Sequence, residues 1–403
     1  VLATPARAGF TLGDALRAMR AEHPLLKSAE LAIRAARADQ KQARLWTNPM
    51  LGASYTKGVR RSSYDDSGYI TYGLTQQLEL SGAPSARGRV AGLLASAATF
   101  DRASLDVSMS LDLESALIDA VAIARKLALY ERVLGLLSGA AHIVDQRVAA
   151  GAAPRYDATR IGITTAMAQA DRESARADYA RALAELRASI GPGVARLEGE
   201  PSFALDSETP LRPPEQLLEL VLARRPDLEA ARQRAASASA NVSASRRSVW
   251  TGVGLDVVGG FGAGPGQQDV GVGLSVPLPA INHGQGLISG AAARAQQAGT
   301  LVDAVRITAQ LRIDGLHAAV LARRTALADY QRRAVASGDE MLGEAQAGYL
   351  AGRFSVLELA DAYAAWRDAR LRAIELAAAT RQAEVDLSRE VGTPLREARA
   401  QEE

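Results

Sequence analysis

Glu358 and Asp361 lie three residues apart, and on a helix such residues share a face. Two carboxylates on one face could act as a general acid and base. That chemistry also needs convergent donors, and no such set surrounds them in the sequence. The four histidines, His23, His142, His283 and His317, show neither i, i+4 spacing nor a nearby carboxylate motif for zinc. Cysteine is absent, which excludes disulfides, thiolate zinc sites and a cysteine nucleophile. Residues 259–266 (GGFGAGPG) lack the Lys-Ser/Thr ending of a phosphate loop and precede a strand, so they read as a hairpin loop. No G-x-S-x-G elbow occurs. The residues describe no enzyme, no cofactor site and no resident metal site. What remains for the carboxylate pair is electrostatic.

The elements that must position that pair are long helices. Of the 403 residues, 48% are hydrophobic but only 4% aromatic, so Ala, Leu and Val dominate, as closely packed helices require. Basic residues number 47 and acidic 45, interspersed along the chain, and nothing points to nucleic acid. No apolar run reaches the roughly 18 residues of a membrane-spanning helix. A β-barrel stays open, because alternating strands give a weak signal. Ala6-Arg7-Ala8 fits either the tail of a signal-peptide cleavage site or an ordinary terminus.

One plan is written twice. Pro24 and Pro226 are 202 residues apart, while Gly151 and Gly352, and Gly191 and Gly392, are each 201 apart. The first repeat is expected over 10–192, a Pro-rich linker over 193–213 and the second repeat over 214–395. Each repeat opens with two helices and continues with two segments of strict period-two alternation, within 51–79 and 253–278. Ile70, Tyr72 and Leu74 alternate with Thr71, Gly73 and Thr75; Val270, Val272 and Leu274 alternate with Gly271 and Gly273. The turns between them, 60–68 and 262–269, are rich in Gly, Ser and Asp. A long helix follows, over 87–150 and 286–351, then a glycine turn and a returning helix over 155–190 and 355–391. Pro154 is expected in the first turn of its helix.

Four strands cannot close a barrel, and open edges are not tolerated in lipid. Chains must therefore pool strands. A homotrimer gives twelve, an even number within the range of outer-membrane barrels. The long helices then continue the barrel into an aqueous compartment. The apolar strand residues are expected to face lipid and their small or polar neighbours the lumen.

This order resembles the TolC family of outer membrane factors from Phe10 to Leu395. Residues 74–82 (LTQQLELSG) with Arg87, and 272–279 (VGLSVPLP) with Asn282 and Gly286, are similar to the strand-to-helix junctions of its CzcC-type branch. The resemblance implies a mostly α-helical protein with a membrane β-barrel: a trimer with a 12-stranded barrel and a long periplasmic α-helical barrel. It implies a passive exit duct in the bacterial outer membrane, reaching into the periplasm and served by a periplasmic adaptor and an inner-membrane RND pump. The branch implies cobalt, zinc, cadmium or nickel as cargo; drugs or other small organics are the alternative.

Residues 348–361 (GYLAGRFSVLELAD) match the second helix-hairpin tip, where the family's gate lies. By that match Tyr349 stands for the gating tyrosine, Glu358 and Asp361 for the acidic pore ring, and Asp157 for the acidic partner in the first tip. Gly151, Ala152, Ala153, Gly352 and Arg353 stand for the adaptor-contacting tips. Phe354 occupies the place of a gate arginine, for which Arg353, Arg155 or Arg160 could substitute. Crowded carboxylates in a ring are expected to repel, so some would hold a proton or a multivalent cation. Two other readings compete. A periplasmic adaptor would carry one hairpin between β-rich halves, and a soluble coiled-coil scaffold leaves the glycine-rich strand pairs unexplained.

Overall fold

The computed structural model describes residues 9–57, 68–205, 211–250, 252–262 and 268–395. Ala6-Arg7-Ala8, the hairpin turns at 58–67 and 263–267, and residues 206–210 of the linker lie outside the described residues. The protein is mostly helical, with one small antiparallel sheet. The elements run α1 (Leu12–Glu22), α2 (Pro24–Ala43), β1 (Met50–Thr56), β2 (Tyr69–Leu78), α3 (Ala83–Ala149), α4 (Arg155–Ile190), α5 (Pro214–Arg224), α6 (Pro226–Ser248), β3 (Val253–Gly262), β4 (Gln268–Ser275), α7 (Gln285–Tyr330), α8 (Ala336–Leu350) and α9 (Val356–Val391). A 3₁₀ turn covers Gly191–Arg196 and a π-turn covers Gln331–Val335. None of the described helices is long and apolar enough to cross a membrane.

The chain forms two compact units. One comprises residues 28–102 and 226–306 and holds the sheet, in the order β1-β2-β3-β4. Its register sorts the side chains. Leu51 opposes Leu74, Leu74 opposes Val257 and Val257 opposes Val272, so one face is apolar across all four strands. Val270, Val272 and Leu274 on that face are 69–83% exposed. The other face carries Met50 and Val258 but is otherwise polar or small: Ser54 Oγ and Thr71 Oγ1 are 2.7 Å apart, and Thr75 Oγ1 donates to Asp256 at 2.6 Å. Period-two alternation produces this sorting, because paired strands in register keep like faces together. Below the sheet, Arg87 forks onto Glu79 through two bonds of 2.6 and 3.2 Å and also donates to the carbonyl of Ala43. This fork ties the end of β2 to the start of α3 and the end of α2, and a bidentate pair holds such a junction more firmly than a single bond.

The face assignment has a direct test. Val272→Arg should lower the stability of the assembled protein by about 2–4 kcal/mol if that face meets lipid, and Gly273→Arg much less. Equal yields of detergent-solubilised assembly for the two variants would exclude the assignment.

The other unit comprises residues 1–27, 103–225 and 307–403. Its helices bury narrow stripes at seven-residue intervals, as in α4, where Ile161, Ala168, Ala175 and Ala182 are buried. A 7-residue repeat with small side chains lets helix axes approach closely. The long helix expected over 286–351 runs through the π-turn with helical residues on both sides, and the stripe shows why the turn is there. Ile313, Val320 and Leu327 are buried seven residues apart, and Leu342 and Tyr349 repeat the interval. Leu342 follows Leu327 by 15 positions, one more than two heptads. The π-turn absorbs the extra residue and returns the stripe to phase.

Candidate functional site at the helix-hairpin tips

Both tips belong to the same unit and are built by the same local device. Gly151 has φ 69° and Gly352 has φ 69°, a left-handed conformation that glycine adopts without a Cβ penalty. At the first tip the amide of Ala152 donates to the Arg147 carbonyl at 2.8 Å and that of Gly151 to Val148 at 3.0 Å. At the second, Arg353 donates to Gly348 at 2.8 Å and Gly352 to Tyr349 at 3.0 Å. Each is a complete Schellman cap, which satisfies carbonyls the helix end leaves open. Gly151, Ala152, Gly352 and Arg353 are exposed and Ala153 is half-buried, so the expected tip residues are accessible in the single chain.

The returning helices start differently. Pro154 sits at the N-cap of α4 rather than in its first turn, with extended ψ 152°, and supplies no side-chain cap. Ser355 caps α9 through a capping box: Ser355 Oγ accepts from the Glu358 amide at 3.3 Å, and the Glu358 carboxylate accepts from the Ser355 amide at 2.6 Å.

The structure brings Tyr349, Asp157 and Arg147 together. Tyr349 is 3% exposed. The Arg147 guanidinium lies over its ring, 5.0 Å from the centroid, and Arg147 Nη1 donates to the Tyr349 carbonyl at 3.1 Å. Burial raises the Tyr349 phenol above its ordinary value, Arg147 opposes that, and the Asp157 charge adds to it. The Tyr349 hydroxyl is buried and has no hydrogen-bond partner among the described residues. Arg147 therefore couples the end of α3 to the end of α8, whereas the sequence offers Arg353, Arg155 and Arg160 as arginines that could serve the gate. Arg147 was missed because it lies 202 residues before Tyr349. The available signal was a lone cation in the last turn of a helix, where it also suits the helix dipole. The Phe354 ring covers Gly348, where a Cβ would meet it at 2.4 Å.

Glu358 and Asp361 are both exposed on α9. The bonds from Ser355 hold the Glu358 carboxyl below the ordinary range. Its charged form already has two donors, the Ser355 amide and hydroxyl. His23 Nδ1 accepts from the Leu25 amide at 3.3 Å, His317 Nε2 lies 3.0 Å from the Arg212 carbonyl and His142 bonds Gln146. No group of three or more His, Asp or Glu placed to hold a metal occurs among the described residues.

The fold thus combines helical hairpins with glycine-capped tips and a four-stranded sheet whose apolar face is exposed. The sequence pattern of the outer membrane efflux protein family matches residues 15–192 and 217–393, and the chain belongs to that family. Its fold is that of TolC-type outer membrane factors. A membrane protein from Pseudomonas aeruginosa is 22% identical, with 95% of this chain and 90% of that one covered and a TM-score of 0.78. The CusC channel protein is 16% identical, with 98% and 95% covered and a TM-score of 0.76. The outer membrane protein VceC from Vibrio cholerae is 19% identical, with 95% and 96% covered and a TM-score of 0.76. Among curated proteins no relative is matched. The family is one of outer membrane efflux proteins, and CusC forms a transmembrane channel.

Proposed function

We propose that three copies of this chain form the outer-membrane exit duct of a tripartite efflux system, with heavy-metal cations as cargo. The observation that carries the assembly is the sheet. Within one chain β1 and β4 each have a single strand neighbour, and an apolar face with open edges is stable in lipid only when other copies close it. Two repeats per chain, 10–192 and 214–395, then give a 12-stranded barrel continued by helices into the periplasm. The exposed tips at Gly151–Ala153 and Gly352–Arg353 are the surfaces for a periplasmic adaptor, which links the duct to an inner-membrane RND pump. Tyr349 and Asp157 hold the tips together, and Glu358 and Asp361 line the constriction. In a trimer these two residues place six carboxylates around one opening, which concentrates cations and repels anions. The metal reading rests on the junction words around Leu74–Arg87 and Val272–Gly286.

Planar-bilayer recording tests the constriction. The resting channel should conduct weakly, prefer cations and be blocked by divalent or trivalent ions from the periplasmic side. Replacing Glu358 and Asp361 together by Ala should weaken both the preference and the block while the trimer persists. Unchanged selectivity would remove these carboxylates from the pore. Because Glu358 also caps α9, Glu358→Gln with Asp361→Asn is the companion variant that limits the loss of cap. For cargo, deletion in the native host should sensitise cells to zinc, cobalt, nickel or cadmium; sensitivity to dyes alone would point to small organics.

A further inference from the structure

A cleft of about 540 Å³ opens beside the π-turn, between α3 and α9. Its walls are of two kinds. Leu129, Val335 and Ile374 give it an apolar lining, while Arg125, Arg132 and Arg370 bring three guanidinium groups to it. No acidic side chain occurs among the described residues that line it. The arginines are held in place. Arg132 and Arg370 lie over the Trp366 ring, 5.3 and 5.7 Å from its centroid. Asp339 accepts from Trp366 Nε1 at 2.7 Å and from Arg370 Nη2 at 2.5 Å. The Arg132 charge also acts on Asp339, and Arg370 Nε is buried without a hydrogen-bond partner among the described residues.

We infer that this cleft binds an amphiphilic anion, a carboxylate on an apolar body. An apolar pocket with a few fixed polar groups at one side is the usual form of a small-molecule site. Guanidinium groups match a carboxylate by paired, charge-assisted bonds. Packing against Trp366 fixes Arg132 and Arg370 before a ligand arrives, so little side-chain freedom remains to be lost. The π-turn belongs to the same lining through Gln331 and Val335, and such turns recur at functional sites. The site owes nothing to the pore carboxylates and stands apart from the identity of the cargo.

The full-length protein in neutral detergent supplies the test. The chain has three tryptophans, so Trp46→Phe with Trp250→Phe leaves Trp366 as the sole reporter. Dodecanoate should change Trp366 emission saturably, while dodecanol and dodecyltrimethylammonium should not. Equilibrium dialysis of labelled dodecanoate against the unmodified protein should give the same affinity. Arg125→Gln, which leaves the Trp366 cluster whole, should weaken binding about tenfold or more, and Ala373→Leu should weaken it by filling the cleft. An equal response to dodecanol, no saturable dodecanoate binding, or full binding by both variants would each overturn the inference.

Discussion

Arg147→Ala is expected to raise the resting conductance of the assembled channel by about tenfold or more, with the trimer intact. The guanidinium both stacks on the buried Tyr349 ring and donates to its carbonyl, so one side chain joins the two hairpins of the chain. A cation–π contact with limited solvent access contributes about 1–2 kcal/mol. A hydrogen bond from a charged group adds about 1.5 kcal/mol or more. Losing even about 2 kcal/mol of preference for the closed arrangement shifts the closed-to-open ratio roughly 30-fold. Arg147→Lys should fall between, since a lysine keeps the charge but not the planar stack. Tyr349→Ala should behave like Arg147→Ala. Tyr349→Phe should leave conductance nearly unchanged, because the hydroxyl has no hydrogen-bond partner among the described residues and the ring makes the contact. Single-channel recording distinguishes these cases. A closed, wild-type-like Arg147→Ala channel would show that the stack does not hold the tips. A leaky Tyr349→Phe channel would show that the hydroxyl finds its partner on a neighbouring copy.

The second large effect is on stability. Arg381 is 2% exposed, pairs with Glu384 one turn away and lies 3.6 Å from Glu114, with its guanidinium 5.1 Å from the Phe203 ring centroid. Arg324 reaches Glu384 from α7 at 2.5 Å. Removing one member of a buried pair strands the other charge in a poorly solvated site and costs about 3–5 kcal/mol. Glu384→Ala should therefore lower the unfolding midpoint of the solubilised protein clearly, and Arg381→Ala should do the same. The exposed pair Arg172–Glu173 supplies the control. Glu173→Ala should change stability by less than about 0.5 kcal/mol, as an exposed substitution does. A Glu384→Ala midpoint equal to that of Glu173→Ala would mean that water reaches the network and screens it.

The comparison of these sites separates two kinds of information. The alternation of Ile70, Tyr72 and Leu74 with Thr71, Gly73 and Thr75 set the two faces of the strands before any partner was known. Gly151 and Gly352 likewise marked the ends of both long helices, because a left-handed residue is needed within a few positions of a helix end. These signals are short-range: hydrogen bonds and side-chain periods that span a few residues are written in consecutive letters. Family-specific words then carried the reading from element to class, through residues 74–82 and 348–361.

Only the tertiary structure decided what meets across long separations. Pairing of β2 with β3 brings Thr75 to Asp256, 181 residues away, and helix packing lays Arg147 on Tyr349. No local pattern announces such a contact, since its energy depends on how two helices are rotated and staggered against each other. The π-turn shows the same limit. The residues around Gln331–Val335 are ordinary helix formers, and the extra residue there becomes visible only once the buried stripe of Leu327, Leu342 and Tyr349 has a neighbour to face. The burial of Arg381 is decided in the same way. A sequence shows a charge, and packing alone determines whether that charge is left in water or must be paired.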